Sequence, residues 1–283
     1  MSKRGCIVYR YRSKKGIPLK DWVQEYSEIA WHDYKEINRR EPCISESIHG
    51  GVFMPNDGHV SPVNLLFAFR RGAYQLGAVT FDETTVMDVK PVEDYVEIHT
   101  DKGIFQTKQV VIASGVWSGF FFEKLGLSNV MHPVKGECLS VMPKRKLCTN
   151  TLFYEDCYIV PKRDGRMIIG ASSKAGDWTD GCSTHSVQQL LSKAYNLIPE
   201  LTSATLINSW YGIRPDTKDH KPIIGKHPDH DHVYFATGHY RNGILLAPMT
   251  GRLMKEMIVN KTGEFDQFKK EFSIERFKKE AIT

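Results

Sequence analysis

The 283-residue sequence has no apolar run of the length a membrane-spanning helix needs, about 20 largely uncharged residues, so a membrane-spanning protein is not expected. Its opening, Met1-Ser2-Lys3-Arg4-Gly5-Cys6-Ile7-Val8-Tyr9, is basic but meets Arg10 and Arg12 before any apolar stretch of signal-peptide length, and a cytoplasmic location is the expectation. Charge of one sign is also scarce: 38 Lys and Arg against 33 Asp and Glu leave a net charge of +5. These cations are scattered rather than gathered in a stripe, so nucleic acid is not an expected partner and small anionic ligands are. The six cysteines contain no C-x-x-C pair, which argues against a zinc ribbon or thioredoxin-type site and for reduced thiols. No G-x-G-x-x-G follows an initial strand and no acidic residue closes a first βαβ unit, so the usual grip on a dinucleotide pyrophosphate is missing. Internal repeats, low-complexity tracts and obvious linkers are absent too.

What is there suffices for a sizeable globular core. Alternation predicts a strand from Cys6 to Arg12. Helical spacing predicts a helix over Leu19–Glu25, and Asp33 is a cap for a second helix ending before Pro42. Gly50–Met54 reads as a strand, Pro55-Asn56-Asp57-Gly58 as a turn, and Ser61-Pro62 as the cap and first position of a helix to about Leu76. Strands are expected over Val79–Val89, Tyr95–Thr100 and Ile104–Ile112, the last two joined through Asp101-Lys102-Gly103, with a helix over Trp117–Leu125. Further strands are expected over Glu137–Val141, Cys157–Pro161, Arg166–Gly170, Leu206–Ile213 and Val233–Thr237, with a turn at Arg163-Asp164-Gly165 and a helix over Ser186–Ile198. The last long helix runs to about Val259. Pro248 suggests that it begins near Ala247, and Phe265–Lys279 reads as a peripheral helix or a partly mobile tail.

The residues that carry chemistry gather late in the chain: Trp210-Tyr211-Gly212-Ile213-Arg214-Pro215, then Asp219, Pro222-Ile223-Ile224-Gly225, and Gly238 to Leu245. An arginine in a tight Gly-x-Arg-Pro corner presents a fixed guanidinium that receives a carboxylate through two parallel hydrogen bonds; the alternative is a structural pair with an aspartate such as Asp219. The glycine-bearing strand-to-helix loop offers free N–H groups and a positive helix end, suited to negative charge on a ligand. His227, His230 and His232 lie in a Pro-Asp-rich loop with no spacing that aims the rings at one point, so a solvated turn is expected and no metal site.

Several segments in order, VVIASGVWSGFF, PVKGECLSV, CYIVPKRDGRMIIGAS, GDW, WYGIRPDTKDHKPIIG and FATGHYRNGILLAPMTG, resemble glycine oxidase of the D-amino acid oxidase and sarcosine oxidase superfamily, and the likeness covers nearly the whole chain. The resemblance implies an α+β / α/β flavoprotein fold, a truncated Rossmann-like FAD-binding domain interleaved with a substrate domain on a large mixed sheet. The substrate domain would take residues 5–60 and 128–212, the FAD domain 61–127 and 213–260, and a tail 261–283. It implies FAD as cofactor, a small amino acid and O2 as reactants, thiamine thiazole synthesis as setting, and a homo-oligomer, a tetramer. Carried over, Arg214 would bind the substrate carboxylate, Tyr158 would add a hydrogen bond, and Arg241 would lie beside substrate and flavin. His239, Tyr240, Arg241, Asn242, Gly243, Ile244 and Leu245 would line the isoalloxazine, Val86 would meet the adenine end through its backbone, and no acid-base residue is required. Ser173 departs from the larger apolar residue that such proteins place near the substrate, which bears on substrate size.

Overall fold

The structure is a computed structural model that describes residues 2–3, 6–9, 23, 28–259 and 266–280. The helix expected over Leu19–Glu25 lies, apart from Val23, outside the described residues, as does the end of the expected first strand, Arg10–Arg12. The chain forms two compact units. One comprises Met1–Arg71, Lys135–Lys174 and Thr179–Gly212, the other Gly72–Val134, Ala175–Trp178 and Ile213–Thr283.

The first unit is built on a mixed sheet. In order across it run Met131–Met142, Met167–Gly170, Cys157–Pro161, Thr151–Tyr154, Cys6–Tyr9, Gly50–Met54 and Ala30–Asp33, and Thr205–Thr217 also pairs with Met131–Met142. Cys6–Tyr9 runs parallel to Thr151–Tyr154, while the hairpin Cys157–Pro161 to Met167–Gly170 is antiparallel. Its turn closes through Gly165 at φ 88°, a left-handed conformation natural to glycine, with Asp164 accepting from the Arg166 N–H at 3.1 Å. The expected cap at Asp33 is present: its carboxylate accepts from the Glu36 N–H at 2.9 Å and starts the helix Tyr34–Arg40. The helix expected over Ser186–Ile198 begins earlier and spans Thr184–Leu197, because Ser183 takes the cap by accepting from the Ser186 N–H. Its Leu190, Ala194 and Leu197, spaced to share one face, pack with Leu139, Leu152, Ile159 and Ile169 of the sheet. Burying leucines of this kind stabilises by about 1.5–3 kcal/mol each.

The second unit contains two three-stranded sheets. In one, Val233–Thr237 lies between Ile223–Lys226, antiparallel, and Val110–Ile112, parallel. The other is a meander of Val86–Pro91, Val96–Thr100 and Gly103–Thr107. Two expectations are corrected here. The strand placed over Val79–Val89 begins only at Val86, because Asp82-Glu83 turns the chain with Glu83 at φ 51° and the Phe81 ring packs on Phe105. The strand placed over Ile104–Ile112 breaks after Thr107, whose hydroxyl donates to the Gln109 carbonyl, so that Val110–Ile112 enters the other sheet. Ile112, Phe121, Phe122, Val233 and Phe235 form the core of this unit, with the Phe122 and Phe235 rings edge to face. Ile274 is buried in the same core, so the tail from Asp266 onward is a packed helix, Asp266–Phe272, and a 3-10 segment, Ile274–Glu280, rather than a peripheral appendage.

The helix Pro62–Gln75 starts where expected and the Ser61 hydroxyl accepts from the Asn64 N–H at 3.4 Å. None of its residues is buried, and Val63, Leu66, Phe67 and Tyr74 are each more than half exposed. No helix among the described residues is long and apolar enough to cross a membrane.

Candidate active site

Within the second unit, the Arg214 strand and the Gly238–Leu245 segment are fastened together. Arg214, half-buried, lies in the strand Thr205–Thr217. The expected Gly-x-Arg-Pro corner is thus extended backbone. The strand continues through Pro215 because its carbonyl, not its missing N–H, is used: it accepts from the Tyr240 N–H at 2.8 Å. Tyr240 is held at φ 47°, with its ring stacked on His220 at 5.9 Å and the Arg241 guanidinium 5.5 Å from its centroid. His220 in turn donates from Nδ1 to the buried Asp216 carboxylate, at 2.9 Å. Asp219, the aspartate offered as a structural partner for Arg214, is instead bound by Arg276 through two contacts of 2.7 and 3.1 Å. Burial alone would raise Asp219; the Arg276 guanidinium outweighs it and holds the carboxyl below the ordinary range.

Gly238 opens the loop at φ 77°, and a Cβ there would come within 2.9 Å of Thr217 Cγ2. Glycine is therefore required both by conformation and by the approach of the Arg214 strand. The preceding residue, Thr237, donates to the Gly115 carbonyl at 2.8 Å, tying this loop to the strand-to-helix corner after Ile112. His239 is buried enough to lower its pKa, and its Nε2 lies 2.8 Å from Thr250 Oγ1 on the following helix. That helix spans Gly243–Ile258, beginning four residues before the expected Ala247, and contains Pro248 in its second turn. Asn242 makes no side-chain cap, and Ile244 and Leu245 are 50% and 78% exposed, so the helix N-terminus faces outward. Such an end carries partial positive charge and suits a flavin ring carbonyl, so these residues fit that part of an FAD.

The remaining expected residues lie on other elements. Val86 opens the first strand of the meander, at an irregularity between Val86 and Asp88. Tyr158 belongs to the first unit, on the strand Cys157–Pro161, with its hydroxyl 3.4 Å from Cys138 Sγ and its ring 6.0 Å from Phe153. Across from it Gly170 leaves the space for the ring: a Cβ there would come within 2.7 Å of Tyr158 Cζ and 2.6 Å of Cys138 Sγ. Ser173 is exposed.

One polar cluster in the first unit was not singled out from the sequence. Glu137, 1% exposed, accepts from the Ser172 hydroxyl at 2.8 Å and the Ser183 N–H at 2.6 Å, with Lys174 Nζ at 3.1 Å. Burial pushes this carboxyl up, but hydrogen bonds from Ser186, Ser183, Ser172 and Lys174 outweigh it and bring the pKa to about 2. Lys135, equally buried, donates to Thr179 Oγ1 at 2.8 Å and sits 5.1 Å from the Tyr211 ring centroid. The signal was available: residues 135, 137, 139 and 141 share one strand face, and Leu139 and Val141 mark that face as buried. The histidine loop also differs from expectation. His227 is buried, donates from Nε2 to the Leu125 carbonyl at 3.1 Å, and accepts at Nδ1 from the N–H groups of Asp229 and His230. It is a neutral structural histidine rather than part of a solvated turn.

The chain is similar to known proteins. The chain is 41% identical over 239 residues to the glycine oxidase of Bacillus subtilis (strain 168), covering 84% of this chain and 65% of the relative. It is also 41% identical over 246 residues to that of Bacillus licheniformis, covering 86% of this chain and 67% of the relative. The crystal structure of glycine oxidase from Geobacillus kaustophilus superposes with a TM-score of 0.87 at 34% identity, over 96% of this chain and 75% of that one. The chain thus spans about two thirds of the length of the curated relatives it matches. Residues 2–257 match the model of the FAD dependent oxidoreductase family, and the chain belongs to that family.

Proposed function

We propose that this chain supplies the substrate-holding and flavin-covering residues of an FAD-dependent amino acid oxidase. The reaction is oxidative deamination of glycine and other small amines or amino acids such as sarcosine and small D-amino acids. The amine is oxidised to an imine as O2 is reduced to H2O2, and water hydrolyses the imine to an oxo acid such as glyoxylate, releasing ammonia or, from sarcosine, methylamine. The relatives named glycine oxidase support this reading. The observation that carries it is the hydrogen bond from Tyr240 N–H to the Pro215 carbonyl, which fixes a carboxylate-binding arginine strand to an outward-facing helix N-terminus.

In this reading bound FAD supplies hydride acceptance and, with dioxygen, peroxide formation. The protein's part is placement. Arg214 receives the substrate carboxylate and so aims the α-carbon, Arg241 lies beside substrate and flavin, and the His239–Leu245 segment lines the ring. The uncapped end of the Gly243–Ile258 helix would favour negative charge on a bound flavin ring. Val86 meets the adenine end and Tyr158 adds a substrate hydrogen bond. The first unit is the substrate domain and the second the FAD domain, in a cytoplasmic, tetrameric enzyme. Use of the imine for the thiazole of thiamine is part of the same reading, supported by similarity to bifunctional ThiO/ThiG proteins, one of them, from Synechocystis sp., 36% identical over 237 residues.

The test is an absorbance spectrum of the purified chain after incubation with FAD, followed by a peroxide assay with glycine. Flavin bands that persist through gel filtration, with peroxide release, support the reading. In flavin-loaded protein, Arg214→Leu removes charged hydrogen bonds of about 1.5–3 kcal/mol each, so kcat/KM for glycine should fall by about a hundredfold or more. Unchanged glycine kinetics in that variant would remove Arg214 from the site.

A further inference from the structure

His220 at φ 57° and Tyr240 at φ 47° both stand in the left-handed backbone region without being glycine, and their rings stack at 5.9 Å. A side-chain-bearing residue keeps that conformation where its surroundings fix it. Tyr240 is fixed in part by the bond from its N–H to the Pro215 carbonyl. His220 lies in the connection 218–222, which follows the Arg214 strand, and its ring is held by the Asp216 carboxylate. The brace on that connection comes from the far end of the chain.

Arg276, in the segment Ile274–Glu280, has five N–H donors, and each meets an acceptor. Two go to the carboxylate oxygens of Asp219 at 2.7 and 3.1 Å, and a third to the Lys221 carbonyl at 2.8 Å. The other two go to the carbonyls of Phe272 and Ser273 at 3.1 and 3.0 Å. The side chain is 14% exposed, so water competes little for these bonds. A planar guanidinium can serve all four groups at once, which the three donors of a lysine cannot. The tail that carries Arg276 is anchored independently: Ile274 is buried in the core of the unit, and Lys221 Nζ meets Glu271 at 2.8 Å.

On the other side of the brace, Asp219 Oδ1 accepts from the Lys221 N–H at 3.2 Å and lies 3.1 Å from the Thr217 hydroxyl. Thr217 Cγ2 is the atom that a Cβ on Gly238 would approach to 2.9 Å, at the opening of the Tyr240 loop. Contacts therefore run from Arg276 to Asp219, to Thr217 and to Gly238, while His220 carries a second branch to Tyr240. Arg276 stands beyond residue 257, where the match to the family model stops.

We propose that Arg276 is a positioning residue of the candidate site: through Asp219 it fixes the 218–222 connection, and with it the His220–Tyr240 stack that places Tyr240 and Arg241. Its bearing on turnover rests on the assignment of Arg214 and the His239–Leu245 segment to substrate and flavin. The first readout needs no ligand. Amide hydrogen exchange, followed by mass spectrometry, is compared among the parent, Arg276→Gln, Asp219→Asn, the double variant and Lys278→Gln, a tail lysine 3.9 Å from Glu275. Exchange across 238–242 should be about tenfold faster or more in each single variant at the Arg276–Asp219 bond, and no faster again in the double variant. Lys278→Gln should match the parent, and the helix Thr184–Leu197 should exchange alike in all. If Arg276→Gln fails to fold, Asp219→Asn decides alone. In flavin-loaded protein, the variants at the bond should lower kcat/KM for glycine by about tenfold, and Arg276→Lys should recover only part of the loss. The proposal is overturned by parent-like exchange at 238–242, by additive effects in the double variant, or by unchanged kcat/KM in the flavin-loaded variants. A flavin-loaded parent that oxidises no glycine would instead remove the assigned function, and the exchange comparison would still decide whether Arg276 sets the loop.

Discussion

His227 shows how one side chain can give the molecule an acid limit. It is buried with both ring nitrogens engaged, and its pKa is lowered by burial first and then by His230, with the Leu125 carbonyl opposing. A histidine depressed in the folded state is protonated more readily when unfolded, so the stability tied to it is fully present above the ordinary histidine value of 6.5 and is lost as pH falls below it. The thermal midpoint should therefore drop between neutral pH and about pH 5, and the drop should shrink in His227→Gln even though that variant starts from a lower midpoint. A slope unchanged by the substitution would assign the acid limit to another group. Gly170 makes a different residue-scale point. Gly170→Ala forces a Cβ against Cys138 and Tyr158, an overpacking cost of about 1–3 kcal/mol, whereas Tyr158→Phe removes only the hydroxyl. Comparing them separates Tyr158 as a packing element from Tyr158 as a substrate contact: Tyr158→Phe should raise KM for glycine at nearly constant thermal midpoint, and Gly170→Ala should lower the midpoint.

Among the elements, the strand Met131–Met142 depends most on a single carboxylate. Through Glu137 it holds Ser172 and Lys174 at one end of a connection and Ser183 at the other, so both ends of the 172–183 segment are fastened to one side chain. With a pKa of about 2 against an ordinary glutamate value of 4.5, Glu137 contributes about 3 kcal/mol above pH 4.5 that is lost as pH falls toward 2. Glu137→Gln leaves two lysines near an uncharged amide and should cost about 3 kcal/mol or more. Its distinctive readout is limited proteolysis, with new cleavage inside 172–183 under conditions where the parent chain is intact. The elements differ in how far the sequence reveals them. Asp33, Ser61 and the Arg163-Asp164-Gly165 turn were legible because caps and turns are written by the few residues that form them. The Val79–Val89 strand misled because the chain turns at Asp82-Glu83, with Glu83 at φ 51°, and the Phe81 ring lies against Phe105 outside any ladder. Pro215 misled because proline reads as a corner, while its carbonyl alone does the bonding. Of the site, the Gly238–Leu245 loop and Arg214 could be picked out locally; the bond between them, and the capture of Asp219 by Arg276, depend on chain that is distant in sequence.

For the molecule as a whole, the helix Pro62–Gln75 is the element that fits least with a chain standing alone. Val63, Leu66, Phe67 and Tyr74 are all in contact with water, and contiguous apolar surface of this kind drives association. Static light scattering of the purified chain should show apparent mass rising with concentration, and Leu66→Glu with Phe67→Lys should flatten that rise. Because these side chains are exposed, the double variant should keep the parent's thermal midpoint to within about 1 kcal/mol in stability. A flat profile in the parent would mean that the face is not adhesive under those conditions. If it is adhesive, dilution becomes a hidden variable in every titration: at the bench the chain would report one affinity in a crowded cuvette and another in a dilute one, with no change in its ligand site.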